Sequence, residues 1–217
     1  MTSGVESLYP FLYADKSDIE SVLADVRAST EEKAAEIVAL RESLAGPLAE
    51  RLVRCAREMA ARFADGGRLF CFGNGGSSTD AQEVAELHAS PPPPARPLPA
   101  LSLPHDVASV TALSNDVGFE VVFARQIAAL GTRNDMVVAL STSGGSENLL
   151  RALDEANRHG LLTVGFAGYD GGRMAEAGRV DHLFVVPSAS VHRIQEAQTT
   201  VYHVLWELTQ TALRGEL

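Results

Sequence analysis

From residue 68 onward, short apolar runs alternate with segments of helical periodicity, and this alternation constrains the fold more than any other feature. The apolar runs cover 68–72, 99–103, 136–140, 161–166 and 181–186. The helical patterns cover 80–90, 106–114, 119–130, 147–159, 171–177 and 191–213. Short strands separated by helices predict a parallel sheet covered on both faces. Right-handed crossovers place the C-terminal ends of the strands on one edge, where open α/β sheets bind ligands.

Two glycine- and serine-rich loops fall on that edge. The first, Gly73-Asn-Gly-Gly-Ser-Ser78, follows the run Leu69–Phe72. The second, Ser141-Thr-Ser-Gly-Gly-Ser146, follows Val137–Leu140. Glycine lets the backbone turn tightly and approach a ligand. A helix start behind such a loop offers free N–H groups and the positive end of a dipole to an anion. Either loop alone could be a plain turn that caps a helix; the pair points to an anion site.

The N-terminal third is helical and amphipathic. Ser17 and Glu20 form a capping box, followed by Ile19, Val22, Leu23 and Val26 at helical spacing. The break Ser29-Thr-Glu-Glu32 reads as a second capping box or as continuous helix. Gly46-Pro47 is expected to end a segment, because proline is tolerated in a first turn and not in an interior. Leu48, Leu52, Cys55, Met59 and Phe63 then mark a further helix, closed by Gly66-Gly67. The expectation is a helical hairpin in an oligomerisation segment, residues 1–66, before an α/β domain, residues 67–217. The aromatic cluster Tyr9–Tyr13 reads as a docked tail, and Pro91–Pro94 as a stiff polyproline II connector.

Composition narrows the function. A net charge of −10 argues against nucleic acid as a general partner. No apolar run approaches a membrane span, and no basic region followed by an apolar core opens the chain, so a cytoplasmic protein is expected. Cys55 and Cys71 show no disulfide framework or structural zinc spacing and read as buried thiols.

The order Gly73-Asn-Gly-Gly-Ser77, Asp80-Ala-Gln82, Ser114-Asn-Asp116, Leu140–Ser146, Gly168-Tyr-Asp-Gly-Gly172, Val186-Pro187, Arg193-Ile-Gln-Glu196 and His203 closely resembles the sugar isomerase (SIS) domain. Within it, the pattern resembles the phosphoheptose (sedoheptulose-7-phosphate) isomerases, from about residue 17 to 213. The resemblance implies a five-stranded parallel sheet with helices on both faces. It also implies a homotetramer, aldose–ketose isomerisation of a sugar phosphate, no organic cofactor and, in some members, zinc.

Carried over residue by residue, Ser141, Thr142, Ser143 and Ser146 match phosphate-binding positions. Asn74, Gly75 and Ser77 match the sugar-side loop, and Asp116 a substrate-contacting aspartate, or else a helix-terminus cap. His203 matches a general acid/base that also binds metal in zinc-containing members. Gln195 matches a further ligand, eight residues earlier and on the same helical face.

The chain departs from the pattern after Gln82. Ungapped, Glu83 replaces a metal-binding histidine and Leu87 the catalytic glutamate. A slip of one residue, through an altered helical turn, would make Glu86 the base. His88 is new, and either faces the site or is solvated. Glu83 or Glu86 is thus the candidate base beside His203, and a metal would lie among Glu83, Gln195, His203 and His88. Leu87 favours the alternative of a non-catalytic phosphosugar-binding or partner-binding protein.

Overall fold

The computed structural model describes residues 19–176 and 178–217. The aromatic cluster Tyr9–Tyr13 and the Ser17 cap lie outside the described residues. The chain divides into two units at 39/40. Residues 19–39 of the first are helical and leave Ile19, Val22, Leu23, Val26 and Val38 exposed.

The expected hairpin is replaced by one helix, α1 (Ile19–Ala64), with Pro47 inside it. An interior proline costs about 3 kcal/mol. Leu44 lies before it and Leu48, Leu52, Met59 and Phe63 after it, all buried on one continuing face. Each such side chain contributes about 1.5–3 kcal/mol on burial, so the stripe outweighs the proline. At the expected second cap the helix is continuous, and the Thr30 hydroxyl donates back to the Val26 carbonyl at 2.8 Å instead of capping a new helix. At the far end Gly66, at φ 80°, turns the chain, and the Gly67 N–H closes on the Arg62 carbonyl at 2.9 Å.

The second unit, Leu40–Leu217, holds the sheet. Its elements are β1 (Leu69–Gly73), α2 (Gly76–Ala89), β2 (Ala100–Ser102), α3 (Val107–Asp116), α4 (Val122–Leu130), β3 (Met136–Leu140), α5 (Glu147–His159), β4 (Leu162–Gly168), β5 (His182–Val186) and α6 (Val191–Leu213). Expected segment 171–177 forms only a 3-10 turn, Gly172–Ala175, and 119–130 splits into a 3-10 turn and α4. Pro91–Pro94 is no uniform polyproline segment, since a turn begins at Pro93.

All pairings are parallel and the strand order is β2-β1-β3-β4-β5. The order reverses between β1 and β3, and the crevice outside the C-terminal ends of such a pair is where open α/β sheets bind ligands. Both strands are buried along their full length. Phe70, Phe72, Val137 and Ala139 pack on Phe123, Ile127, Leu149 and Leu153. Buried Asp135 ties the opposite edge together. It accepts from the Arg68 N–H at 2.7 Å, the Arg68 guanidinium at 2.8 Å and the Thr132 hydroxyl at 2.9 Å.

Candidate functional site

The two loops leave β1 and β3, the strands that flank the reversal. After β1, the Gly75 backbone takes φ 55° and α2 starts at Gly76, four residues ahead of the expected start. Ser77 is therefore buried in the first helical turn. Gly76 lies against the Gln195 side chain, where a Cβ would sit 2.5 Å from the amide nitrogen and Gln195 would have to move.

The loop after β3 is braced from below. The Ser141 hydroxyl accepts from the Gly144 N–H at 2.9 Å, so it shapes the loop. Gly168 N–H donates to the Thr142 carbonyl and Met174 N–H to the Gly144 carbonyl, each at 2.9 Å. Ser146 is the N-cap of α5 but makes no side-chain cap bond. Its hydroxyl, those of Thr142 and Ser143, and the first-turn N–H groups of α5 are what this loop can offer an anion.

Asn74 and Asn148 join the loops. Each amide donates to the other's oxygen at 2.9 Å. Asn148 is 3% exposed, and its oxygen also accepts from the Leu149 N–H at 3.1 Å.

Helix α6 reaches both loops and α2. The Gln198 amide, fully buried, donates to the Ser141 carbonyl at 3.1 Å. Gln195 donates to Asp80 at 3.3 Å. One turn along α2, Glu83 Oε1 lies 2.9 Å from His203 Nε2, and the Tyr202 hydroxyl donates to Glu83 Oε2 at 2.6 Å. Helix α2 runs unbroken as an α-helix from Gly76 to Ala89, with no altered turn. Glu83, not Glu86, meets His203; exposed Glu86 accepts from Gln82 at 3.1 Å.

Burial works to raise the Glu83 carboxyl, but the hydrogen bonds from Tyr202 and His203 and the charge on His203 outweigh it and hold it below the ordinary range. Asp80 is shifted up by burial, opposed by the bond from Gln195. Burial and the bond to Glu83 raise the Tyr202 phenol.

His88 neither faces the pair nor meets solvent. It is 2% exposed, stacks on Phe63 at 5.7 Å, and its Nδ1 donates to the Val84 carbonyl at 2.8 Å. Asp116 ends α3 exposed and accepts from Asn115 at 2.7 Å.

Zinc would need several donors converging. Glu83 and His203 are ordinary zinc donors, but Gln195 is turned to Asp80 and His88 is packed against Phe63, so the four candidates do not converge. Among the described residues no group of three or more His, Cys, Asp or Glu side chains is arranged to hold a metal ion. The candidate donors of this chain do not form a zinc site together.

Asn148, Gln198 and Tyr202 were not singled out from sequence. Each is a polar residue on the inner side of a helix, and its partner comes from a distant element.

The site thus joins a hydroxyl-rich loop at the reversal of a parallel α/β sheet, through one helix, to a carboxylate–imidazole pair. A family model described as SIS domain matches residues 34–168. The phosphoheptose isomerase of Aquifex aeolicus is 42% identical over 163 residues, 75% of this chain and 84% of that one. That of Geobacter sulfurreducens is 38% identical over 196 residues, 90% of this chain and 98% of that one. The structure of phosphoheptose isomerase from Neisseria gonorrhoeae is similar at TM-score 0.79 and 31% identity, covering 85% of this chain and 99% of that chain. The chain belongs to the SIS domain family, and the three relatives named are phosphoheptose isomerases.

Proposed function

We propose that this chain is an aldose–ketose isomerase of the sedoheptulose-7-phosphate type, with Glu83 and His203 as its proton-transfer pair. The observation that carries the reading is the 2.9 Å contact between Glu83 and His203 on helices that lead back to the two loops. The phosphate sits on the loop Ser141–Ser146, against Thr142, Ser143, Ser146 and the start of α5. Asn74, Gly75 and Ser77 border the sugar.

The reaction moves one proton between neighbouring carbons and leaves the oxidation state of the whole molecule unchanged. Glu83, held ionised, removes the proton from C1 of the ketose, next to the C2 carbonyl. The electron pair becomes the C1–C2 double bond of an enediol as His203 gives a proton to the C2 oxygen. Glu83 returns its proton to C2, the C1 hydroxyl proton passes to His203, and the C1 aldehyde forms. Zinc enters no step of this reading; metal analysis of purified, active protein tests that choice.

The same reading includes a homotetramer in the cytoplasm. An apolar groove of about 360 Å³ lies between α1 and α6, lined by Leu44, Leu48, Leu52, Val201, Val204 and Leu208. It supports a neighbouring helix, and light scattering on the eluting protein measures the assembly. No described helix is long and apolar enough to cross a membrane.

The deciding experiment is incubation of the pure protein with sedoheptulose 7-phosphate and assay for the aldose. Turnover that Glu83→Gln lowers about 10²–10⁴-fold is expected. Binding of the sugar phosphate without turnover would instead support the non-catalytic alternative that Leu87 favours.

A further inference from the structure

We propose that Tyr202 is a positioning residue for proton transfer, fixing which oxygen of Glu83 faces His203; the proposal rests on the isomerase reading above. Glu83 and His203 are partly open, with 46% and 38% of their side chains exposed. A glutamate on a helix surface samples several rotamers and loses up to about 2 kcal/mol of side-chain entropy on being fixed. Something must hold it if the pair is to be in register before substrate arrives.

Tyr202 is built for that. The residue is 2% exposed, so its ring has little freedom. One side of the ring stacks on His203, with centroids 5.3 Å apart and planes at 26°. It also meets Phe166 edge-on at 6.3 Å and 84°, and Phe166 is itself packed on Phe184. The hydroxyl donates to Glu83 Oε2 at 2.6 Å, which leaves Oε1 for His203 at 2.9 Å. One buried ring therefore touches both members of the pair, through its face on one and its hydroxyl on the other. Because Tyr202 and His203 are sequence neighbours on α6, the carboxylate is located relative to the imidazole by a single turn of helix. Precise placement of reacting groups is worth large factors in rate, and it is expressed in kcat when the ground state is bound elsewhere.

The test is Tyr202→Phe, which keeps the ring and its stacking and deletes only the hydroxyl. With sedoheptulose 7-phosphate, kcat should fall about tenfold while KM stays within about twofold. In a Glu83→Gln background, where residual turnover is measured with high enzyme, the same change should have no further effect. A kcat unchanged in Tyr202→Phe would overturn the proposal while leaving the isomerase reading intact. An equal loss in both backgrounds would also overturn it, since Tyr202 would then act without Glu83. A loss of folding, seen as a lowered melting temperature with kcat and KM changing together, would reduce Tyr202 to a packing residue. A wild type with no turnover would overturn both readings.

Discussion

Asn74 and Asn148 exchange a pair of 2.9 Å hydrogen bonds across the reversal point of the sheet, tying the loop after β1 to the helix behind the loop after β3. The Leu149 N–H donates to the Asn148 oxygen, and this fixes which end of that amide is which. The orientation of Asn148 in turn fixes Asn74. The two amides therefore set the spacing between the proposed phosphate and sugar ends of the site before a ligand binds.

Asn148→Asp keeps the acceptor, loses the donor and places a negative charge beside the phosphate loop. The expected result is a KM for sugar phosphate raised about tenfold or more, since like charge opposes the bound anion. Asn148→Ala leaves Asn74 unpaired and should cost about 1–3 kcal/mol of stability. Steady-state kinetics and denaturant titration measure the two effects.

Two glycines should respond to different extents to alanine. Gly172 has φ 52°, and a Cβ there would sit 2.3 Å from the Ser143 carbonyl oxygen. Gly172→Ala should push the phosphate loop out of shape and cost about 2 kcal/mol or more. Gly46 is inside α1 with nothing within 4 Å of its would-be Cβ. Gly46→Ala gains helix propensity but sets a Cβ beside the Pro47 ring, which disfavours helical backbone at the preceding residue, so it should change stability by less than about 1 kcal/mol. Thermal melts of the two variants compare them directly.

Buried His88 makes stability depend on pH. Burial drives its imidazole down to about 4, and its Nε2 has no described partner. The unfolded chain binds a proton near pH 6.5 and the folded one does not, so the unfolded state holds more protons between these values. Stability is therefore full above about pH 6.5 and falls as pH drops toward the folded value, by roughly 3 kcal/mol in all. His88→Phe keeps an aromatic ring against Phe63 and removes the titrating group. Its urea midpoint should lose less than the wild type's between pH 7 and pH 5.

Much of this was legible in the sequence, for physical reasons. Strand β3 and helices α5 and α6 have their expected bounds, because uninterrupted apolar runs and strong helical periodicity each admit one reading. The two loops announced the ligand edge through their glycines. Helix α1 is not legible from its local breaker, Pro47, because the buried stripe on both sides of it carries the helix through. The side-chain network was harder. Asn74 and Asn148 are 74 residues apart, and Tyr202 and Glu83 are 119 apart. No periodicity encodes such pairs, and a tyrosine in an apolar helix pattern reads as core. The choice between Glu83 and Glu86 needed the helix itself, since only its regularity decides which carboxylate turns toward α6.

That choice yields the sharpest prediction for the reaction. Glu83→Gln removes the base while keeping shape and should lower kcat about 10²–10⁴-fold. Glu86→Gln, on the exposed side of the same helix, should leave kcat within about twofold, since surface changes away from a site are nearly neutral. The pH profile supplies an independent check. Although burial opposes ionisation, the bonds from Tyr202 and His203 hold the Glu83 carboxyl below its ordinary value. A base with a lowered value stays ionised as pH falls, so the limb due to Glu83 in kcat/KM should lie on the acid side of about pH 4.3, the ordinary glutamate value. In Tyr202→Phe the carboxylate loses a donor, and the same limb should move to higher pH. A Glu83→Gln enzyme that retains wild-type kcat, with activity lost instead in Glu86→Gln, would assign the base to the other carboxylate.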